Sequence, residues 1–285
     1  MIFTATGLGS GDARSLWGVV SVARRFSAIS VLLGALFVCS FHQAASSAPI
    51  NYGSHTGTTV SYIDVSEEAT TSDSLPLFGA PIFSADSIDF NPVGFDAAAS
   101  GPGGSDSTGS RLTFMVVAHP GFAINNIAFQ EAGQTTLSGS GTDSTSAVVT
   151  ADGTVTISHV DGAAITPIVR PIALTFAPSG GSYGLATDGG GLPIFHTPWS
   201  GALAVNFAQI LTQEGVPFVF GPTKVSVDLE NTLTATSEDG TQSLISKKDF
   251  GGISITINIP EPGSLVLAGL GLAGVWGVRR GRGRC

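Results

Sequence analysis

Apolar and polar residues alternate in short runs along most of the chain, and helical spacing is scarce. Near the C-terminal end Ile253, Ile255, Ile257 and Ile259 alternate with Ser254, Thr256 and Asn258, the pattern of a half-buried strand. Residues 58–65 (TTVSYIDV) and 111–118 (RLTFMVVA) read the same way, as do 123–130, 147–150, 154–160, 168–177, 202–211 and 216–220. Residues 224–235 place Val225, Val227 and Leu229 on one face. Asp152-Gly153 predicts a hairpin between two of these runs, and Asp239-Gly240 a second before the final strands. Residues 91–110 and 178–198, rich in Gly, Ser, Asp and Pro, read as loops. About ten strands separated by turn chemistry predict an all-β fold. The expected architecture is one jelly-roll-like β-sandwich domain over residues 49–259.

The two ends break the pattern. Residues 23–50 read ARRFSAISVLLGALFVCSFHQAASSAPI. Arg24 and Arg25, an apolar stretch from Phe26 to Phe41, and small residues from Ala44 to Ala48 follow the order of a secretory signal. Residues 1–48 are therefore expected to form a signal helix with a long leader, cut between Ala45 and Ala48. The length of that leader points to a start downstream of Met1. Cys39 follows the large, β-branched Val38, which is unsuited to a lipoprotein cleavage site.

The other end reads IPEPGSLVLAGLGLAGVWGVRRGRGRC. Pro260 and Pro262 remove two backbone donors and fix φ, so Glu261 is displayed between rigid neighbours. Residues 264–278 carry no charge; as a helix they extend about 22 Å, short of the roughly 30 Å of a bilayer core. Arg279, Arg280, Arg282 and Arg284 then form a stop held on the cytoplasmic side. Gly269, Ala273 and Gly277 share one helix face on which a partner helix can approach closely.

The order of Pro260-Glu261-Pro262, apolar span and arginine cluster resembles the PEP-CTERM sorting domain of Gram-negative bacteria. The resemblance covers residues 260–285 and leaves the body uncovered. It implies recognition by an exosortase-type membrane protease, removal of the tail near the motif, and association with exopolysaccharide or biofilm matrix. Signal peptidase and a secretion translocon are the other expected partners, with transient membrane contact through the tail. A GPI signal ends apolar rather than in arginines, and no LPxTG stretch precedes the span. A plain C-terminal membrane anchor remains the alternative.

Charge sharpens this picture. Between Pro49 and Ile259 there are 5 basic and 19 acidic residues, a net charge of −14, while seven of the twelve basic residues lie in the terminal segments. Such a body repels phosphate backbones, so no nucleic-acid partner is expected. Cys39 and Cys285 both lie in the terminal segments. A body trimmed at both ends has no disulfide.

Chemical motifs in the body are weak. Gly269, Gly271 and Gly274 spell G-x-G-x-x-G inside the apolar tail, away from any strand–helix unit that would give it meaning. Gly180-Gly181-Ser182-Tyr183-Gly184 spells G-x-S-x-G, but residues 185–198 (LATDGGGLPIFHTP) cannot sustain the helix a nucleophile elbow needs. His196 lies downstream of Ser182 as a conceivable base. His55, His119, His159 and His196 show no metal-ligand spacing. Asp86, Asp89 and Asp96 could offer oxygen ligands to calcium, although solvated loop positions explain them as well. No catalytic residue, metal or cofactor is assigned. The expectation is an exported, non-enzymatic surface or matrix protein; the alternatives are a carbohydrate-binding module or a secreted hydrolase.

Overall fold

The computed structural model describes residues 47–248 and 254–258. Among them the chain forms fifteen strands. In order these are β1 (Ile50–Thr56), β2 (Val60–Ala69), β3 (Pro81–Ser84), β4 (Ser87–Phe90), β5 (Asp96–Ser100), β6 (Gly104–Ala118), β7 (Asn126–Gly139) and β8 (Ser146–Val160). There follow β9 (Ala163–Ala173), β10 (Thr175–Ala177), β11 (Ser182–Gly184), β12 (Ile194–Asn206), β13 (Pro222–Ser237), β14 (Thr241–Lys247) and β15 (Ser254–Asn258). One short α-helix, α1 (Phe207–Gln213), and one 3-10 turn at Ser179–Gly181 interrupt them.

The strands make two sheets. The first runs β1-β2-β6-β13-β8-β11, with β9 also paired to β8; the second runs β10-β12-β7-β15-β4-β3, with β14 bridging β7 and β5. Inward and outward positions alternate along most of the long central strands. On β13, Val225, Val227, Leu229, Leu233 and Ala235 are buried, as are Ile127, Phe129 and Leu137 on β7. These two inward faces form one core with Tyr62, Phe78, Phe90, Phe95 and Trp199. The sandwich is as the alternation predicted.

Several local expectations are corrected. The Asp152-Gly153 pair does not turn: β8 runs straight through it, with Asp152 opposite Glu230 and Gly153 opposite Leu229. A Cβ at Gly153 would run into the Asp228 carbonyl oxygen, so the glycine serves close strand approach. The β8–β9 turn lies instead at Asp161-Gly162, both with positive φ. Asp239-Gly240 does turn the chain, but from β13 in one sheet to β14 in the other, so it is a corner between layers and not a hairpin.

Residues 96–100 and 104–110, read as loop, are strands. Their small residues fit between partners, with Ala97 and Ala99 buried and β5 zipped along β14 from Ser100↔Gln242 to Asp96↔Ser246. Within 178–198, Ser182–Gly184 and the start of β12 are likewise strand. The strand expected over 202–211 ends at Asn206, whose side chain accepts from Gln209 N at 3.0 Å. This N-cap starts α1, and Phe207 and Leu211, four apart, are its buried face. Residues 216–220 form no strand.

Candidate functional site

β15 is the last described element. It is paired on both sides, with β7 from Ser254↔Gln130 to Asn258↔Asn126 and with β4 from Ser254↔Asp89 to Thr256↔Ser87. β14 occupies the other half of the same edge of β7, from Lys247↔Gly133 to Thr241↔Gly139. The two strands therefore lie end to end along one partner. Asn258 sits opposite the first residue of β7, and Asn206 stands across that same residue. Asn258 lies at the end of the sandwich where β6 finishes, β12 passes into α1 and β13 begins.

That end carries a cleft of about 530 Å³ lined by His119, Phe122, His159, Asp161, Phe220 and Lys224, among others. His119 Nε2 lies 3.0 Å from Ser61 Oγ, and His159 Nδ1 lies 3.2 Å from Ser158 Oγ. Asp161 accepts three backbone N–H groups, from Val219, Phe220 and Gly221, at 2.7–2.9 Å. Burial pushes its carboxyl up, but the three donors outweigh that and hold it below the usual carboxylate range. These bonds tie residues 219–221 to the β8–β9 turn and leave Phe220 half exposed at the rim of the cleft.

The residues singled out for chemistry do not assemble. Ser182 is on β11 at the rim of the first sheet, paired with Val148. His196 is on β12 in the second sheet, 2.9 Å from Thr136 Oγ1 through Nδ1. They share no sheet. Asp86 accepts from Thr59 N, Thr59 Oγ1 and Val60 N at 2.6–3.2 Å, so it fastens a turn to the start of β2. Asp89 and Asp96 are exposed on β4 and β5, and no cluster of three His, Cys, Asp or Glu suited to a metal occurs among the described residues. Trp199 is in the core, edge-on to Phe176 with centroids 5.9 Å apart, and offers no stacking surface.

The pattern did not reveal the most unusual constellation. Lys247 Nζ lies 2.5 Å from Glu131 Oε2 and in hydrogen-bond contact with Asn231 Oδ1. Side-chain exposure is 1% for Lys247 and 0% for Glu131. The Phe95 and Phe78 rings cover the ammonium position, with centroids 4.8 and 5.3 Å away. Burial raises the Glu131 pKa and lowers that of Lys247, against their mutual attraction. Glu131 Oε1 and Asn231 Nδ2 are buried with no partner among the described residues. One signal for it was available. Glu131 between Phe129 and Gly133, Asn231 between Leu229 and Leu233, and Lys247 two residues after Ile245 each fall on the inward parity of a strand.

Comparison with known proteins concerns the tail. Residues 258–282 match the model of the PEP-CTERM protein-sorting motif. The chain carries a PEP-CTERM sorting motif at this end. No curated protein matches it. Among solved structures, the structure of infectious bursal disease virus Gt strain aligns at 13% identity over 68% of this chain and 49% of that one. Its TM-score is 0.12, which carries no argument, and this chain spans about half that chain's length.

The PEP-CTERM match begins at Asn258, the final residue of β15, so the sorting motif abuts the sheet directly. It implies export, a membrane-anchored precursor and an exosortase-type processing partner. Pro260, Glu261 and Pro262, the face of Gly269, Ala273 and Gly277, and the arginines 279, 280, 282 and 284 lie outside the described residues, as do the signal segment and the apolar span. Among the described residues no helix is long and apolar enough to cross a membrane.

Proposed function

We propose that the mature body is a non-enzymatic cell-surface or extracellular-matrix component, associated with exopolysaccharide and released from its precursor by cleavage near Pro260–Pro262. The carrying observation is the join: a motif read by a membrane protease follows directly on a strand bonded at both edges. A folded module with a removable membrane tail is a delivery format. The outer face of the first sheet supports a polysaccharide contact, since its hydroxyls pair across strands, Ser66 with Thr113 at 2.8 Å and Ser146 with Thr236 at 2.8 Å. Thr154, Thr156 and Ser226 line a shallow groove on that face. Hydroxyls and amides of this kind exchange readily with those of a sugar polymer.

The test is the intact mass of the protein recovered from outside its native cell. A C-terminus within a few residues of Pro262 is expected; recovery with Cys285 still attached overturns the reading. A carbohydrate-binding role is the second reading, favoured by the cleft lined by His119, His159 and Lys224 with its half-exposed Phe220. It predicts saturable glycan binding that Phe220→Ala weakens.

A further inference from the structure

Glu131 on β7, Lys247 on β14 and Asn231 on β13 converge inside the sandwich, and Asn231 comes from the sheet opposite the other two. As an ion pair this arrangement is poor. A buried carboxylate and ammonium need every remaining lone pair and proton satisfied to offset their desolvation, yet Glu131 Oε1 and Asn231 Nδ2 have no partner among the described residues. As reactants the same three groups are complete. We propose that Lys247 and Asn231 join covalently, the Lys247 Nζ displacing the Asn231 side-chain nitrogen as ammonia while Glu131 carries the proton, to leave an isopeptide cross-link between the sheets.

The chemistry balances. Desolvation shifts the pair toward its neutral form, in which the proton sits on the Glu131 carboxyl and Nζ has a free lone pair. The Phe78 and Phe95 ring faces pull the other way, toward the ammonium. Nζ contacts Oδ1, one bond from the Asn231 Cγ it attacks. The new Nζ–Cγ bond forms, Nζ gives up one proton, and the Cγ–Nδ2 bond breaks as Nδ2 gains one. Glu131 touches Nζ at 2.5 Å; it donates one proton, accepts the other and ends as it began, which is general acid–base work. The leaving group is ammonia, and no oxidant or cofactor is needed. The body between Pro49 and Ile259 has no cysteine, so this link is a covalent tie of a kind that needs no thiol.

The experiment is peptide mapping of the full chain after purification and denaturation. A glutamate-specific protease cuts after Glu230 and Glu238 and so separates Asn231 from Lys247 unless they are joined. The expected product is a branched peptide holding both residues, about 17 Da below the sum of its parts, the mass of one ammonia. Recovery of two separate peptides with unmodified Lys247 and Asn231 after prolonged incubation at neutral pH overturns the proposal. So does an ammonia loss confined to the Asn231 peptide. Glu131→Gln is expected to keep the circular-dichroism spectrum of the parent and to lose the branched peptide at least tenfold. An undiminished branched peptide in Glu131→Gln removes Glu131 from the role of proton carrier. If that variant fails to fold, the map of the parent chain decides alone.

Discussion

Two glutamates are fully buried in this sandwich, and they are used in opposite ways. Glu67 is saturated by neutral donors. Its Oε1 accepts from Leu77 N at 2.7 Å, Phe78 N at 2.9 Å and Ser110 Oγ at 3.0 Å, and its Oε2 accepts from Tyr52 Oη at 2.5 Å. Burial, with the Glu67 carboxylate beside it, drives the Tyr52 hydroxyl far above its ordinary pKa, so it stays a donor. Glu131 instead has one oxygen on an amine and the other unpartnered among the described residues. A carboxylate closed off by backbone and hydroxyl donors fastens a loop; one left half open beside an amine can move a proton. The two are linked through Phe78, whose backbone Glu67 holds and whose ring covers Lys247.

The largest effect is expected at the open site. Lys247→Ala strands Glu131 and Asn231 in the core and should lower the unfolding free energy by about 3–5 kcal/mol, read from urea transitions. A loss below about 1 kcal/mol would mean that the triad contributes little. Next comes Glu67→Gln, which keeps the shape but sets an amide nitrogen against donors; about 2 kcal/mol is expected to be lost. The contrast between the glutamates requires that this variant still yield the branched Lys247–Asn231 peptide. If Glu67→Gln abolishes the branch as fully as Glu131→Gln, the two sites are one.

A surface carboxylate extends the comparison downward. Asp161 has a lowered folded pKa, so its contribution is present above the unfolded carboxylate value and fades as pH falls through the folded one. Asp161→Asn should therefore cost about 1 kcal/mol or less at pH 6, with the difference from the parent shrinking below about pH 4. A difference that grew in acid would reverse the assignment. The smallest effect is expected from calcium. Millimolar calcium should leave the melting midpoint unchanged, because Asp86 is occupied with Thr59 and Val60 while Asp89 and Asp96 point outward. A clear upward shift would show that these three aspartates do gather an ion.

Stretches of the long strands were legible because period-two alternation is a direct record of which side faces the core. β6, β7, β8 and β13 all show it. What alternation cannot encode is the third dimension of a turn. Asp152-Gly153 looks like a hairpin until two neighbouring strands press against Gly153, and Asp239-Gly240 looks like one until its strands part into different layers. The small-residue segments read as loops became strands because β5 pairs along β14 and turns Ala97 and Ala99 into the core. The tail was readable outright, since proline, apolar length and arginines state their physics locally. The triad was visible only as misplaced polarity. Asn231 interrupts an apolar face, and nothing local says that Glu131 and Lys247 complete it from two other strands.

One arrangement also bears on how the body withstands pulling. β14 and β15 share a single edge of β7, and β15 is laddered on its far side to β4. A load applied along the chain at Asn258 meets these rungs in shear, where they must give way together rather than peel in turn. Twelve residues lie between Lys247 and Pro260, so whatever tension passes β15 arrives next at the middle of the core.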